Sequence, residues 1–185
     1  EASQVGVEIL KNGGNAIDAA VAMGFVLGVC EQQSSGIGGG GFMVVRFADS
    51  GEIVFIDFRD QSGAAASLDM WEIGEDGRVA DQANKIGANA IAVPGEVKGL
   101  LYALDTYGSM SRQEIMQPAI DMARNGFEVS AITERDIADA YGTLAQFESS
   151  AEIYFDHDNL DMPYQAGDII TNPDLADTLE LIAEK

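Results

Sequence analysis

The sequence predicts an α+β fold, and three observations predict it. Apolar residues recur at helical spacing over both ends of the chain. Two short apolar runs, 42–47 and 53–58, flank the turn signal Ala48-Asp49-Ser50-Gly51. The 185 residues are 46% hydrophobic and 22% charged, enough apolar mass for the core of one domain, taken as residues 1–185.

The elements follow in order. Residues 2–12 place Val5, Ile9 and Leu10 on one helical face, and Gly13-Gly14 supplies the stop. Asn15 caps a second helix, with Asp18 in a first turn whose dipole favours it. That helix, Ala16 to Cys30, is apolar almost all round, so it is expected to be buried. A glycine-dense turn through Gly41 leads to the two runs, which read as a hairpin. Both strands are apolar on both faces apart from Arg46 and Asp57, which predicts a central sheet covered on each side. Residues 59–90 are looser, with Trp71 anchoring a short helix and Gly74 to Gly77 a turn.

Pro94 suits the first position of a helix to Tyr107. Ser111 and Glu114 form a capping box for a helix ending at Asn125-Gly126. Ser130 or Thr133 opens another helix. Ile153 to Phe155 and Ile169-Ile170 read as short strands. Asn172-Pro173 starts a last helix that reaches Lys185 without a stop signal, as expected of an excised chain.

Charge narrows the function. Thirty-one acidic residues against ten Lys plus Arg leave a net charge of −21, which disfavours nucleic acid and anionic lipid as partners. The acids are scattered, so they read as a solvated exterior, with salt adaptation as the functional counterpart. Asp156, Asp158 and Asp161 lack the glycine and terminal Glu of a calcium loop, so no metal site is expected. The longest apolar run contains Asp18 and is too short to span a membrane, so no membrane insertion is expected in this segment. No signal peptide is visible, although one removed upstream is compatible with the sequence. The lone Cys30 reads as a buried inert thiol, and the lone His157, between two aspartates, as a surface residue.

The run Gly36-Ile37-Gly38-Gly39-Gly40-Gly41 lacks the Lys-Ser or Lys-Thr of a phosphate loop and precedes a strand where a dinucleotide fold needs a helix. It reads as a turn with positive-φ positions or as a place of close backbone approach. Ser34-Ser35 lacks a nucleophile elbow and reads as polar loop. Arg59 follows a strand in Asp57-Phe58-Arg59-Asp60. Its guanidinium suits bidentate capture of a carboxylate, or an internal ion pair with Asp57 or Asp60.

Several strings together resemble the γ-glutamyltranspeptidase family. They are Gly13 to Ala22, Ser35 to Met43, Asp57 to Asp60, Gly87 to Gly95, Gln117 to Ile120 and Ala123 to Phe127, in that order along the chain. The resemblance identifies residues 1–185 with the N-terminal part of that family's large subunit. It implies part of an N-terminal-nucleophile hydrolase αββα four-layer sandwich, incomplete in this chain. It also implies a γ-glutamyltransferase or glutathione hydrolase that cleaves itself. The small subunit's N-terminal threonine then attacks γ-glutamyl amides such as glutathione and passes the acyl group to water or to an amino acid or peptide. Of the family's site only Arg59 carries over, as the arginine that holds the substrate α-carboxylate. No catalytic residue, no cofactor and no metal ligand carries over to this chain, so the chain alone is expected to be inactive. The implied partners are γ-glutamyl compounds, the remainder of the large subunit and the small subunit, in a periplasmic or extracellular setting. Asp60 stands where the family usually has Glu, and Gly63 where proline is common. These departures leave open an acylase-like relative with other acyl specificity, beside a non-catalytic module on the same scaffold.

Overall fold

The computed structural model describes residues 1–156 and 159–185, with 159–161 as backbone only. In chain order come α1 (Ala2–Lys11), α2 (Ala16–Cys30), β1 (Phe42–Arg46), β2 (Ile53–Asp57), α3 (Glu96–Tyr107) and α4 (Arg112–Asn125). Then follow β3 (Phe127–Glu128), α5 (Ala131–Leu144), α6 (Glu148–Tyr154), β4 (Phe155–Asp156), β5 (Asn159–Pro163), β6 (Ile169–Ile170) and α7 (Pro173–Ala183). The strands pair antiparallel as β1 with β2, β3 with β6 and β4 with β5, so the fold is α+β. The residues group into two compact units, one of Glu1–Gly36 with Leu100–Lys185 and one of Ile37–Gly99.

The first unit is built on α2. Its Val21, Ala22, Phe25, Val26 and Val29 are at most 1% exposed, as an all-round apolar helix requires. It packs against α1 and α4, and α4 packs in turn against α7, where Ile115, Met116, Ala119, Ala176 and Leu179 are sealed from solvent. Each fully buried large side chain here contributes about 1.5–3 kcal/mol of transfer free energy.

Local signals set the helix ends. Gly13 has φ +93°, and the amides of Gly13 and Gly14 donate to Leu10 and Ile9 carbonyls, the paired bonds of a Schellman stop. Asn15, Ser111, Ser130 and Asn172 each cap the helix that follows, the first two through complete capping boxes. Arg124 of α4 reaches Asp177 at 3.0 Å and Glu180 at 2.8 Å on α7.

Asp18 does more than complement a dipole. It is fully buried, and its carboxylate accepts bonds from Asn15 N (2.7 Å), Ser109 N (2.9 Å), Ser109 Oγ (2.6 Å) and Met110 N (3.2 Å). The start of α2 is thereby tied to the corner between α3 and α4, and Asn15 Nδ2 adds a bond of 2.8 Å to the Tyr107 carbonyl. Burial pushes the Asp18 carboxyl up. The Ser109 hydroxyl and the amides of Asn15, Ser109 and Met110 together outweigh burial and hold it below the ordinary carboxylate range.

In the second unit β1 and β2 form the expected hairpin, with Val44 opposite Phe55 and Met43 opposite Ile56. The turn closes with Gly51 at φ +72° and its amide donating to the Phe47 carbonyl. The expectation that both faces are covered fails. Val45 and Ile56 are buried, but Phe42, Val44, Ile53 and Phe55 on the other face are 58–67% exposed, with the two phenylalanine rings stacked at 5.7 Å. Apolar residues on both sides of a strand show what a face can bury, and say nothing of what lies against it in this chain.

Four local expectations are also corrected. Leu10 is 51% exposed, because the buried face of α1 runs through Gly6 and Ile9. Trp71 lies in a bend and anchors no helix. Ile153 belongs to α6, and the strand starts at Phe155. Helix α3 starts at Glu96, two residues after Pro94, since the amides of Gly95 and Glu96 both donate to the Gly39 carbonyl. His157 and Asp158 lie outside the described residues, as does the side chain of Asp161. Among the described residues no helix is long and apolar enough to cross a membrane.

Candidate functional site

The second unit gathers three of the singled-out segments around the end of β2. Gly41 and Phe58 exchange backbone bonds of 3.3 and 3.0 Å, which extends the hairpin ladder by one pair. Gln61 and Val93 exchange another pair, at 3.0 and 2.7 Å, so residues 58 and 61 are both fixed by neighbouring backbone. The Gly39 carbonyl accepts the Gly95 amide at 2.9 Å and the Glu96 amide at 3.0 Å, which pins the glycine segment to the first turn of α3.

These approaches explain the glycines. A Cβ on Gly40 would stand 2.5 Å from both Asp60 N and Phe58 O, and one on Gly95 would stand 2.1 Å from Phe58 O. Contacts that short are inadmissible, so only glycine lets the three segments close on one another. Of the two readings of the run 36–41, close backbone approach is the one observed. The positive-φ glycines lie elsewhere, at Gly13, Gly51, Gly77, Gly87, Gly126 and Gly167.

Arg59 emerges from this closed frame. Its amide donates to Asp57 Oδ1 at 3.0 Å, a local side-chain-to-backbone bond just past the strand. Its guanidinium Nε meets Asp60 Oδ1 at 3.1 Å, and Asp60 is its ion-pair partner among the described residues. The Arg59 side chain is 64% exposed and that of Asp60 28%. The internal ion pair foreseen from the sequence therefore forms with Asp60, while Asp57 is engaged by the Arg59 backbone. The approach is at Nε, and the guanidinium side chain stays largely exposed. An exposed guanidinium on a fixed backbone can bind a carboxylate with two parallel hydrogen bonds.

The other singled-out residues behave as structure. The Ser34 and Ser35 amides both donate to the Glu31 carbonyl, at 2.9 and 2.8 Å, in a tight turn at the end of α2. Cys30 is buried, and burial, with Glu1 and Glu31 adding to it, pushes its thiol up, away from the reactive thiolate. Among the described residues no group of His, Cys, Asp and Glu could hold a metal ion. Sequence reasoning missed the glycine frame around Phe58. A cluster of glycines both before a hairpin and at a helix start was the available signal, but the pairing partner is set only in three dimensions.

Comparison with known proteins agrees with this arrangement along the whole chain. A glutathione hydrolase proenzyme of Pseudomonas sp. (strain A14) is 42% identical over 188 residues, covering 100% of this chain and 31% of that protein. The Acylase ACY 1 proenzyme of Pseudomonas sp. (strain SE83) is 40% identical, over 98% of this chain and 33% of its own length. The crystal structure of Helicobacter pylori gamma-glutamyltranspeptidase superposes with a TM-score of 0.91 at 37% identity, covering 99% of this chain and 51% of that one. The chain thus spans about a third of the length of the two proenzymes. The family model described as Gamma-glutamyltranspeptidase matches residues 2–185, and the chain belongs to that family.

Proposed function

We propose that this chain is the N-terminal part of the large subunit of a γ-glutamyltransferase or glutathione hydrolase, with Arg59 as the group that holds the substrate's α-carboxylate. The observation that carries the reading is the likeness to glutathione hydrolase proenzymes along the full chain. The exposed guanidinium of Arg59, on a backbone fixed from both sides, supports the residue's role. Bond cleavage is then the task of an N-terminal threonine in the small subunit, whose own amine takes the hydroxyl proton as the oxygen attacks the γ-glutamyl carbonyl. Arg59 orients the acyl donor, and in so acidic a chain a local cation is needed to hold an anionic group. The substrates are γ-glutamyl compounds such as glutathione, the partners are the rest of the large subunit and the small subunit, and the setting is periplasmic or extracellular. The chain by itself turns nothing over.

A second reading, an acylase with other acyl specificity, is favoured by the 40% identity to the Acylase ACY 1 proenzyme. The full-length, self-processed protein separates the two. Faster turnover of a γ-glutamyl anilide than of the analogue lacking the α-amine supports the first reading, and the reverse supports the second. A protein that neither cleaves itself nor acts on either is a non-catalytic module. Arg59→Ala in the processed protein is expected to lower kcat/KM by about 2–5 kcal/mol in transition-state stabilisation, with self-cleavage retained. A change of less than about threefold, roughly 0.7 kcal/mol, removes Arg59 from the substrate site.

A further inference from the structure

We propose that Phe58 is a positioning residue for Arg59: its ring, wedged between Gly41 and the Gly99 face of α3, fixes the side and the point from which the arginine leaves the end of β2. The inference rests on the reading of Arg59 as the carboxylate-binding group and adds a residue that acts on it only through the backbone. Its basis is packing within the second unit. A Cβ on Gly99 would stand 2.1 Å from Phe58 Cγ and 2.3 Å from Phe58 Cβ. One on Gly41 would stand 3.0 Å from Cε2 and 3.2 Å from Cζ, toward the far edge of the ring. The ring is thus bounded at its base by α3 and at its tip by the residue paired with it across the hairpin.

Gly99 has no backbone reason to be glycine. It lies inside α3 without a positive φ, where glycine weakens a helix relative to alanine, and the room it leaves is the room Phe58 occupies. Gly95, one turn earlier, lies as closely against the Phe58 carbonyl oxygen, so ring and main chain of Phe58 meet neighbouring turns of one helix start. Successive side chains of an extended chain point to opposite sides. A Phe58 ring held on the α3 side therefore turns Arg59 to the other side, where its side chain is 64% exposed. A ring bounded at both ends cannot change rotamer freely, so the strand end cannot rock. A rocking strand end spreads the guanidinium over a larger volume, which a bound carboxylate must then restrict.

The test uses the full-length, self-processed protein and two substrates. One is a γ-glutamyl anilide and the other is 4-aminobutyryl anilide, which keeps the amine and lacks the α-carboxylate. The readout is the ratio of their kcat/KM values. Phe58→Leu is expected to lower this preference roughly three- to tenfold, short of the about hundredfold that a displacement of about 1 Å can cost. The loss is expected in KM for the γ-glutamyl anilide, with kcat changed by less than about twofold. Gly99→Ala is expected to lower the preference further, since no rotamer of Phe58 relieves a clash with its own Cβ. Phe58→Leu carries the test should Gly99→Ala fail to process. In an Arg59→Ala background, Phe58→Leu is expected to add almost nothing to the ratio, because the group it positions is gone.

Three results overturn the proposal. One is a preference unchanged in Phe58→Leu while Arg59→Ala lowers it. Another is an equal loss on both substrates, which makes the ring general support for the fold. The third is a lowered preference of the same size with and without Arg59, which means that Phe58 acts on something else. If Arg59→Ala itself leaves the preference at the wild-type value, the Arg59 reading falls and takes this proposal with it, and that outcome is distinct from the other three.

Discussion

Removing the Asp18 carboxylate is expected to be among the most destabilising single changes in the first unit. The side chain is fully buried and accepts four hydrogen bonds, three of them from backbone amides that cannot turn elsewhere. Asp18→Ala strands the amides of Asn15, Ser109 and Met110, while the Ser109 hydroxyl can rotate to another acceptor. An orphaned buried donor costs about 1–3 kcal/mol, and a water entering the vacated space recovers part of this, so a net loss of roughly 3–5 kcal/mol is expected. Asp18→Asn keeps the shape. Its oxygen serves Ser109 and Met110, which turns its amide nitrogen toward the Asn15 N–H, donor against donor, for a loss of about 2–3 kcal/mol.

The assay is thermal unfolding of the chain against pH. At neutral pH, with about 2–4 °C per kcal/mol for a chain of this size, Asp18→Ala is expected to lower Tm by on the order of 10 °C. The folded-state pKa of Asp18 is lowered, so its contribution is complete above the unfolded value near 3.9 and is lost as pH falls through the folded value. Wild type and Asp18→Asn are therefore expected to converge only in acid, below about pH 4. A Tm loss under about 2 °C at pH 7, or curves that stay parallel into acid, refutes the assignment of the clamp to the ionised carboxylate.

Three further expectations concern other parts of the molecule. Gly95→Ala places a methyl group 2.1 Å from the Phe58 carbonyl oxygen. It is expected to cost about 1–3 kcal/mol as overpacking and to make residues 37–99 more sensitive to limited proteolysis; wild-type resistance contradicts the close packing. The face formed by Phe42, Val44, Ile53 and Phe55 is expected to bind a hydrophobic fluorescent dye when the chain is alone. Val44→Thr with Phe55→Thr is expected to abolish most of that signal, and an unaltered signal places the apolar surface elsewhere. Finally, α7 carries Asp174, Asp177 and Glu180 at helical spacing, with Glu184 as its C-cap and Arg124 opposing Asp177 and Glu180, in a chain of net charge −21. Raising salt to about 1 M shortens the Debye length to roughly 3 Å, so Tm is expected to rise by several degrees; a Tm independent of salt counts against an exterior strained by its own charge.

Much of the secondary structure was legible because its causes are local. Asn15, Ser111, Ser130 and Asn172 cap helices through amides two or three residues away, and Gly13-Gly14 closes α1 on carbonyls of its own last turn. Such signals need no knowledge of the rest of the chain. The failures at Leu10 and Ile153 have the same origin, since periodicity there was compatible with more than one face or element.

What the sequence by itself determined is the α+β class, the burial of α2, the hairpin and, through the order of its motifs, the family. The tertiary structure alone decided the rest. Asp18 reads as an N-terminal helix acid until Ser109 and Met110, 91 and 92 residues away, are brought to its carboxylate. Gly40 reads as a turn or close-approach glycine and Gly95 as part of a helix start, and only the folded backbone of Phe58 and Asp60 shows that it occupies the space a side chain would need. Arg59 suits an ion pair or a ligand site by sequence, and it forms the pair with Asp60 while its side chain stays 64% exposed. The physical reason is common to the first two: caps and turns are satisfied within a few residues, whereas the value of a buried carboxylate or a missing Cβ depends on atoms that only folding brings near.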